Sequence, residues 1–206
     1  MGNQGRYGKY GEIKRANRLR SSRTDPPSSN RAGIGLFTPR PSYKNILAKK
    51  PIVTLRQARN SDSRFIRQLS GKVFNIYGPY DEILPDWLNS DNNFTIIACM
   101  GKKSVGFAML GDPFNRYDLQ PVTELLAIAV DPKNQGKGIA ELLLREVERK
   151  AAHMKIKRIF LHTATGNLRA QRLFTKMGYR PWEIKRSFYP EGQDAMVMSM
   201  EPSVLS

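Results

Sequence analysis

Asp131-Pro132-Lys133-Asn134-Gln135-Gly136-Lys137-Gly138 is a polar turn carrying two glycines and two lysines. It follows the apolar stretch Glu124–Val130 and precedes a run with helical spacing, so it joins a strand to a helix. Such a junction binds anions. The first N–H groups of a helix have no internal partner, and the helix dipole adds partial positive charge beside them. Glycine lets a phosphate approach the backbone without a Cβ in the way. Lys133 and Lys137 add charge. Taken alone, the turn is equally an ordinary strand–helix connection, since Gly and Pro are frequent in loops of this kind. Two better-defined phosphate motifs are excluded: the sequence has no G-x-G-x-x-G and no P-loop spacing.

Other chemistries have little to work with. Two histidines, His153 and His162, are too few for a histidine-built metal centre. One cysteine, Cys99, forms neither an internal disulfide nor a cysteine-ligated zinc site, so no metal is expected. A lone thiol fits a reducing compartment, and the expected location is cytoplasmic. Cys99 falls on an alternating strand and reads as a buried small hydrophobe. No apolar run approaches the ~18 residues of a membrane-spanning helix.

The charge is uneven. The chain of 206 residues carries 34 Lys and Arg against 18 Asp and Glu. Residues 1–50 hold 12 of the basic residues and only two acids, Glu12 and Asp25. This first quarter is poor in large aliphatics and contains Pro26, Pro27, Pro39 and Pro41, so it is expected to be a basic, largely disordered arm. Met1-Gly2 suggests myristoylation, but Arg6 stands where that motif wants Ser or Thr. An Arg- and Ser-rich organelle-targeting segment fits only loosely, and no apolar stretch suits a secretory signal. Such an arm is either a solvated tail or an electrostatic tether to RNA, the ribosome or another anionic surface.

From Pro51 the pattern changes to that of a packed domain, expected over residues 51–206. Ile52–Arg56 alternates as a strand. Asn60–Ser63 offers caps for a helix reaching about Ile76, with Phe65, Ile66, Leu69, Val73 and Phe74 on one face. Tyr80–Leu88 reads as a second helix, with Pro85 a kink or boundary. Phe94–Met100 and Ser104–Leu110 form a hairpin around Gly101. A polar loop, Asp112–Gln120, leads to the strand Glu124–Val130, whose near-continuous apolarity suits burial on both faces. A helix over Gly138–His153 carries Leu142, Leu143, Val147 and Ala151. Ile156–Thr163 is a strand, Asn167–Lys176 a helix ended by Gly178, and Tyr179–Ser187 and Ala195–Met200 are the final strands. The order β-α-α-β-β-β-α-β-α-β-β implies an α/β domain with one central, mostly antiparallel mixed sheet flanked by helices.

Two blocks then carry a resemblance. Gln135-x-x-Gly138-x-Ala140 resembles the Arg/Gln-x-x-Gly-x-Gly/Ala signature of the GNAT superfamily of acetyl-CoA-dependent N-acetyltransferases. Asn167-x-x-Ala170-x-x-Leu173-Phe174-x-Lys176-x-Gly178-Tyr179 is similar to that family's second block. Both follow the family's order, and the element order matches over roughly residues 51–201. The resemblance implies a GNAT-like fold and acetyl-CoA as co-substrate. It implies that backbone amides of Gln135, Gly136, Lys137, Gly138, Ile139 and Ala140 cradle the coenzyme pyrophosphate. It implies that the strand end Leu126, Ile128, Ala129 and Val130 pairs with the pantetheine arm. Asn167 and Ala170 would meet the coenzyme from the other side, with Phe174 near its thiol.

Transfer to an amine needs a neutral nucleophile, and several family members carry a carboxylate base at the position of Glu124. Its bland alternative is an exposed ion-pair partner. Many members place a proton-donating tyrosine where this chain has Phe174, which has no proton to give. Tyr189 is the replacement candidate, with unaided departure of the thiolate as the alternative. Tyr77 and Tyr80 fall in the segment that shapes the acceptor side, or simply pack. His162 touches substrate or is a hydrogen-bonded structural residue. Tyr179 and Met177, Met196, Met198 and Met200 read as core. The expected activity is acetyl transfer to an amine by direct attack in a ternary complex. Scarce acids in residues 65–93 favour a protein or peptide amine over a polyamine. The alternative is a catalytically weak acyl-CoA-binding module whose arm recruits RNA or ribosome.

Overall fold

Alternating burial along the strands shows how the sheet divides the domain. Ile96, Ala98, Val105, Ala108, Leu110, Leu125, Ile159, Leu161 and Met198 bury on one face. Ile97, Cys99, Phe107, Met109, Ala127 and Ala129 bury on the other. Each face is covered by two helices, because a pleated strand sends successive side chains to opposite sides. The computed structural model describes residues 52–90, 93–111, 114–115 and 121–202. The basic arm expected over residues 1–50 and most of the polar loop 112–120 lie outside the described residues.

The chain begins with β1 (Val53–Gln57), α1 (Ser63–Val73) and α2 (Tyr80–Leu88). β2 (Phe94–Met100), β3 (Lys103–Leu110), the short β4 (Phe114–Asn115) and β5 (Pro121–Val130) follow. Then come α3 (Ile139–His153), β6 (Arg158–Ala164), α4 (Leu168–Lys176), β7 (Arg180–Lys185) and β8 (Ala195–Met200). The sheet runs β1-β2-β3-β5-β6-β8-β7, with β4 paired to β5. Every pairing is antiparallel except β5 with β6. The fold class is therefore the expected mixed, mostly antiparallel sheet, with β4 as an added element.

Ile66 and Leu69 of α1 and Leu84 of α2 pack on the Phe107 face. Ile139, Leu143, Leu144, Val147 and Ala151 of α3 join Phe174 of α4 on the other. Burial of each of these side chains larger than alanine contributes roughly 2 kcal/mol. At the first corner, Arg56 grips Asp62 through two contacts of 2.7 Å, and Asp62 also accepts the Arg59 N–H at 2.8 Å. The hydrogen bonds from Arg56, against the cost of burial, hold the Asp62 carboxyl below its ordinary range.

Several boundaries differ from the sequence expectation. α1 stops at Val73, where Phe74 caps it and Tyr77 N–H turns back to Phe74 C=O at 2.8 Å. Of its expected apolar face only Ile66 and Leu69 are fully buried, while Phe65, Val73 and Phe74 pack part-exposed. Pro85 lies buried inside α2 rather than ending it. Leu142 is 41% exposed, one position off the stripe of α3. Ile156 lies in the turn that closes α3 rather than in β6, its N–H returning to Ala151 C=O at 3.0 Å after Lys155 takes φ +57°. Cys99, Tyr179 and Met198 are buried, and Met177, Met196 and Met200 pack part-exposed against the core.

Candidate active site

The parallel ladder between β5 and β6 is short. It pairs Val122–Leu125 with Arg158–Leu161 and goes no further. Past that point β5 continues to Val130, while β6 runs on against β8. A cavity of about 310 Å³ opens there, bounded by the end of β5, the following turn, the start of α3 and the start of α4. Ile128, Ala129, Val130, Gln135, Gly136, Gly138, Ile139, Ala140, Asn167, Ala170 and Phe174 all line it. Leu126 and Lys137, expected with them, do not. Leu126 packs over Gly111 and the α1–α2 core, and Lys137 turns outward to Asn134 Oδ1 at 2.8 Å.

The turn into α3 depends on two left-handed glycines. Gly136 has φ +77° and Gly138, the cap of α3, has φ +80°. Nothing lies within 4 Å of where a Cβ would stand at either residue. The first helical bond of α3 runs from Leu142 N–H to Gly138 C=O at 3.1 Å, so the amides of Ile139, Ala140 and Glu141 precede any helical partner. The Gln135 side chain is structural: its Nε2 donates to Val130 C=O at 3.0 Å, and its Oε1 accepts from Arg169 at 2.6 Å. Asn167 caps α4, accepting the Ala170 N–H at 3.1 Å. Phe174 is buried, edge-on to Tyr179.

Sequence reasoning missed Val73, Asn134, Glu141, Arg169 and Leu173 in this lining. Arg169 had a readable signal, a cation in the first turn of the helix opened by Asn167. Val73 had none, because α1 reaches the cavity only through the fold.

On the α1–α2 face of the sheet a second group assembles. Glu124 of β5 stands beside Phe160 in the ladder, with His162 two residues further along β6. Glu124 Oε1 lies 2.6 Å from His162 Nδ1, and both side chains are mostly buried. His162 Nε2 lies 3.1 Å from Lys185 Nζ at the end of β7. Phe188 stacks flat on the imidazole, with centroids 4.4 Å apart and planes 4° from parallel. Tyr189 is buried beside Ala164 and Ala195, and Tyr77, Tyr80 and Phe188 pack against this cluster. The Tyr77 and Tyr189 rings are 5.0 Å apart. Two more contacts tie these loops: Gln193 Nε2 donates to Ile76 C=O at 2.6 Å, and Gly78 packs against Pro190.

Burial pushes the Tyr189 phenol above its ordinary range, helped by the neighbouring Tyr80, Tyr77 and Glu124. Such a phenol keeps its proton. It is not among the residues that line the cavity closed by Phe174. Among the described residues no group of His, Cys, Asp and Glu is placed to hold a metal ion.

The arrangement offers two chemistries along β5: an amide-rich, glycine-opened pocket at its end suited to a phosphate-bearing ligand, and, on the other face of the sheet, a carboxylate held by an imidazole. Residues 57–179 match the model of the acetyltransferase (GNAT) family. A Bacillus subtilis protein provisionally named as a ribosomal protein bS18-alanine N-acetyltransferase is 29% identical over 76 residues, 36% of this chain. That match spans half of the relative's length. An uncharacterized N-acetyltransferase of Methanocaldococcus jannaschii is 23% identical over 145 residues, covering 70% of this chain and 88% of the relative. Among solved structures, Arabidopsis thaliana NAA60 in complex with acetyl-CoA superimposes with a TM-score of 0.65 at 19% identity, covering 73% of this chain and 98% of that one.

Proposed function

The chain belongs to the acetyltransferase (GNAT) family, and from that membership we propose that it transfers the acetyl group of acetyl-CoA to a protein or peptide amine within a ternary complex. The observation that carries this reading is that one strand, β5, bears Glu124, paired with His162, and ends at the glycine-opened cavity. The cavity fits the coenzyme by its chemistry. It has unpartnered helix amides for a pyrophosphate, space where a Cβ would intrude at Gly136 and Gly138, and the Arg169 cation at its mouth. Ile128, Ala129 and Val130 offer a strand edge to the pantetheine amides. Asn167, Ala170 and Phe174 form the opposite wall.

In this reading Glu124, as a carboxylate, takes the proton of the incoming amine directly or through water. An ammonium cannot attack, so a base matters more for a lysine-type amine, near pKa ~10.4, than for an α-amine, near ~8. A backbone N–H near Ala129 or Val130 would receive the charge that develops on the thioester oxygen. His162 orients Glu124. Tyr77, Tyr80 and Tyr189 wall the acceptor side, with Tyr189 as a hydrogen-bond donor. The thiolate then departs without help from Phe174. The name of the Bacillus subtilis relative, a ribosomal-protein acetyltransferase, supports a protein amine as acceptor. Residues 1–50, with their excess of Lys and Arg, would serve as a tether to RNA or ribosome.

The test is release of coenzyme A thiol from acetyl-CoA by the full chain against alanine-starting peptides, lysine peptides, polyamines and small amines. Turnover confined to peptides is the expected result. Turnover confined to polyamines would overturn the acceptor class, and silence throughout would overturn catalysis. Silence with acetyl-CoA still raising the melting temperature would leave the acyl-CoA-binding module standing.

A further inference from the structure

Lys185 lies at the end of β7, opposite Ala195 of β8, which in turn faces Ala164 of β6. Two alanines in that row leave room for the lysine to lie across the sheet and reach His162, two residues before Ala164. The contact is 3.1 Å from Nζ to Nε2. Other neighbours compete weakly: Glu183 Oε1 is 3.8 Å from Nζ, and the Phe188 ring centre is 5.6 Å away.

The hydrogen-bond network assigns the protons. An ammonium has three N–H donors and no lone pair, so in this contact Lys185 donates and His162 Nε2 accepts. The imidazole is then neutral with its hydrogen on Nδ1, and Nδ1–H donates to Glu124 across 2.6 Å. The stacked Phe188 holds the ring plane. We infer that Lys185 is a positioning residue for the proposed proton acceptor: it fixes the Nδ1–H tautomer of His162 and thereby holds Glu124 oriented as the group that takes the amine proton.

The inference rests on the proposed role of Glu124 and adds a division of labour. His162 spends its lone pair on Lys185, so the imidazole is not itself the base. Without the ammonium, Glu124 alone holds the hydrogen on Nδ1, and Nε2 is free to take that hydrogen or a second proton. With the hydrogen on Nε2, Nδ1 and the carboxylate would face each other as two acceptors, and Glu124 would turn away.

The test is the tautomer, read from the ring nitrogen shifts of the full chain labelled with ¹⁵N-histidine at neutral pH. With two histidines in the chain, a His153→Gln variant assigns His162. The wild type is expected to show hydrogen on Nδ1 and a bare Nε2. Lys185→Met is expected to lose that pattern and about tenfold in kcat, with KM for acetyl-CoA unchanged, and Lys185→Arg to restore most of both. Hydrogen on Nε2 in the wild type, or an unaltered pattern and kcat in Lys185→Met, would overturn the inference. Should Lys185→Met fail to fold, the wild-type spectrum still decides. Loss of turnover in the wild type with the Nδ1–H pattern intact would count against the proposed function and leave the tautomer lock in place.

Discussion

The cavity beside α3 and the cluster around Glu124 are built of different material. The cavity takes its shape from backbone: the end of β5, two glycines in left-handed conformations and the first turn of α3. Side chains there, such as Gln135 and Asn167, are occupied in holding that backbone in place. The Glu124 cluster is made of side chains from β5, β6, β7 and the loop after it, each supplied by a different stretch of chain. A backbone site tolerates exchange of side chains but not of geometry. A side-chain site has the opposite sensitivity.

The largest test of that contrast is Glu124→Gln, which keeps shape and removes basicity. It should lower kcat about a hundredfold or more while the affinity for acetyl-CoA, measured by calorimetry, stays within twofold. A loss of coenzyme binding instead would mean that the two regions are not separable. Gly138→Val probes the other side. A β-branched residue at φ +80° is strained, and its Cβ enters the space above the turn. About tenfold or greater weakening of acetyl-CoA binding is expected, with a smaller fall in kcat at saturation. Tyr189→Phe sharpens the comparison at the acceptor side. If the phenol only donates a hydrogen bond, kcat should fall less than about threefold with no change in the shape of the pH profile. A hundredfold fall would restore Tyr189 as an acid.

The smallest effect concerns the scaffold beneath the cavity. Glu148 of α3 has one buried carboxylate oxygen without a hydrogen-bond partner, as does the hydroxyl of Tyr179. Burial pushes Glu148 up to about 7, against a small opposing effect of Arg145. A carboxyl raised in the folded state binds its proton more tightly there than when unfolded. Stability therefore falls as pH rises from the unfolded value near ~4.3 toward 7, and the penalty is complete above it. Glu148→Gln should stabilise the domain at pH 8 by about 1 kcal/mol after solvent screening, a rise of a few degrees in melting temperature, and do nothing at pH 4. Equal melting curves at both pH values would show the carboxyl to be solvated.

The contrast between the two regions also governs what could be read from the residues. Gln135, Gly136, Gly138, Ile139 and Ala140 are contiguous, and strand, turn and cap signals fall in one short run. Their placement around a single cavity follows from local rules. Asn167 was legible as the start of a helix, and its place at the cavity came from the family resemblance alone. Lys137 was expected there through its backbone amide; its flexible side chain, whose direction a turn does not dictate, reaches Asn134 instead of lining the cavity. Lys185 carried no signal at all. Its meeting with His162 requires β7, β8 and β6 to lie side by side in that order, which is a property of the sheet rather than of any segment. The same holds for the packing of Tyr77 against Tyr189. Helix ends were missed where a turn, as at Phe74, or an exposed apolar residue, as at Ile76, imitated continuing periodicity.

The register between β3 and β5 slips by one residue: Met109 faces Ala127, but Leu110 faces Leu125, leaving Leu126 unmatched. That extra residue reverses the alternation, so Glu124 shares a face with Ala127 and Ala129 rather than with Ile128 and Val130. In the history of such a chain, the length of the segment from Glu124 to Gln135 is then a heritable trait in its own right. A single codon lost or gained there would turn either the carboxylate or the turn to the wrong side of the sheet, even with every other residue intact. Substitutions along this segment should accumulate far more freely than insertions or deletions.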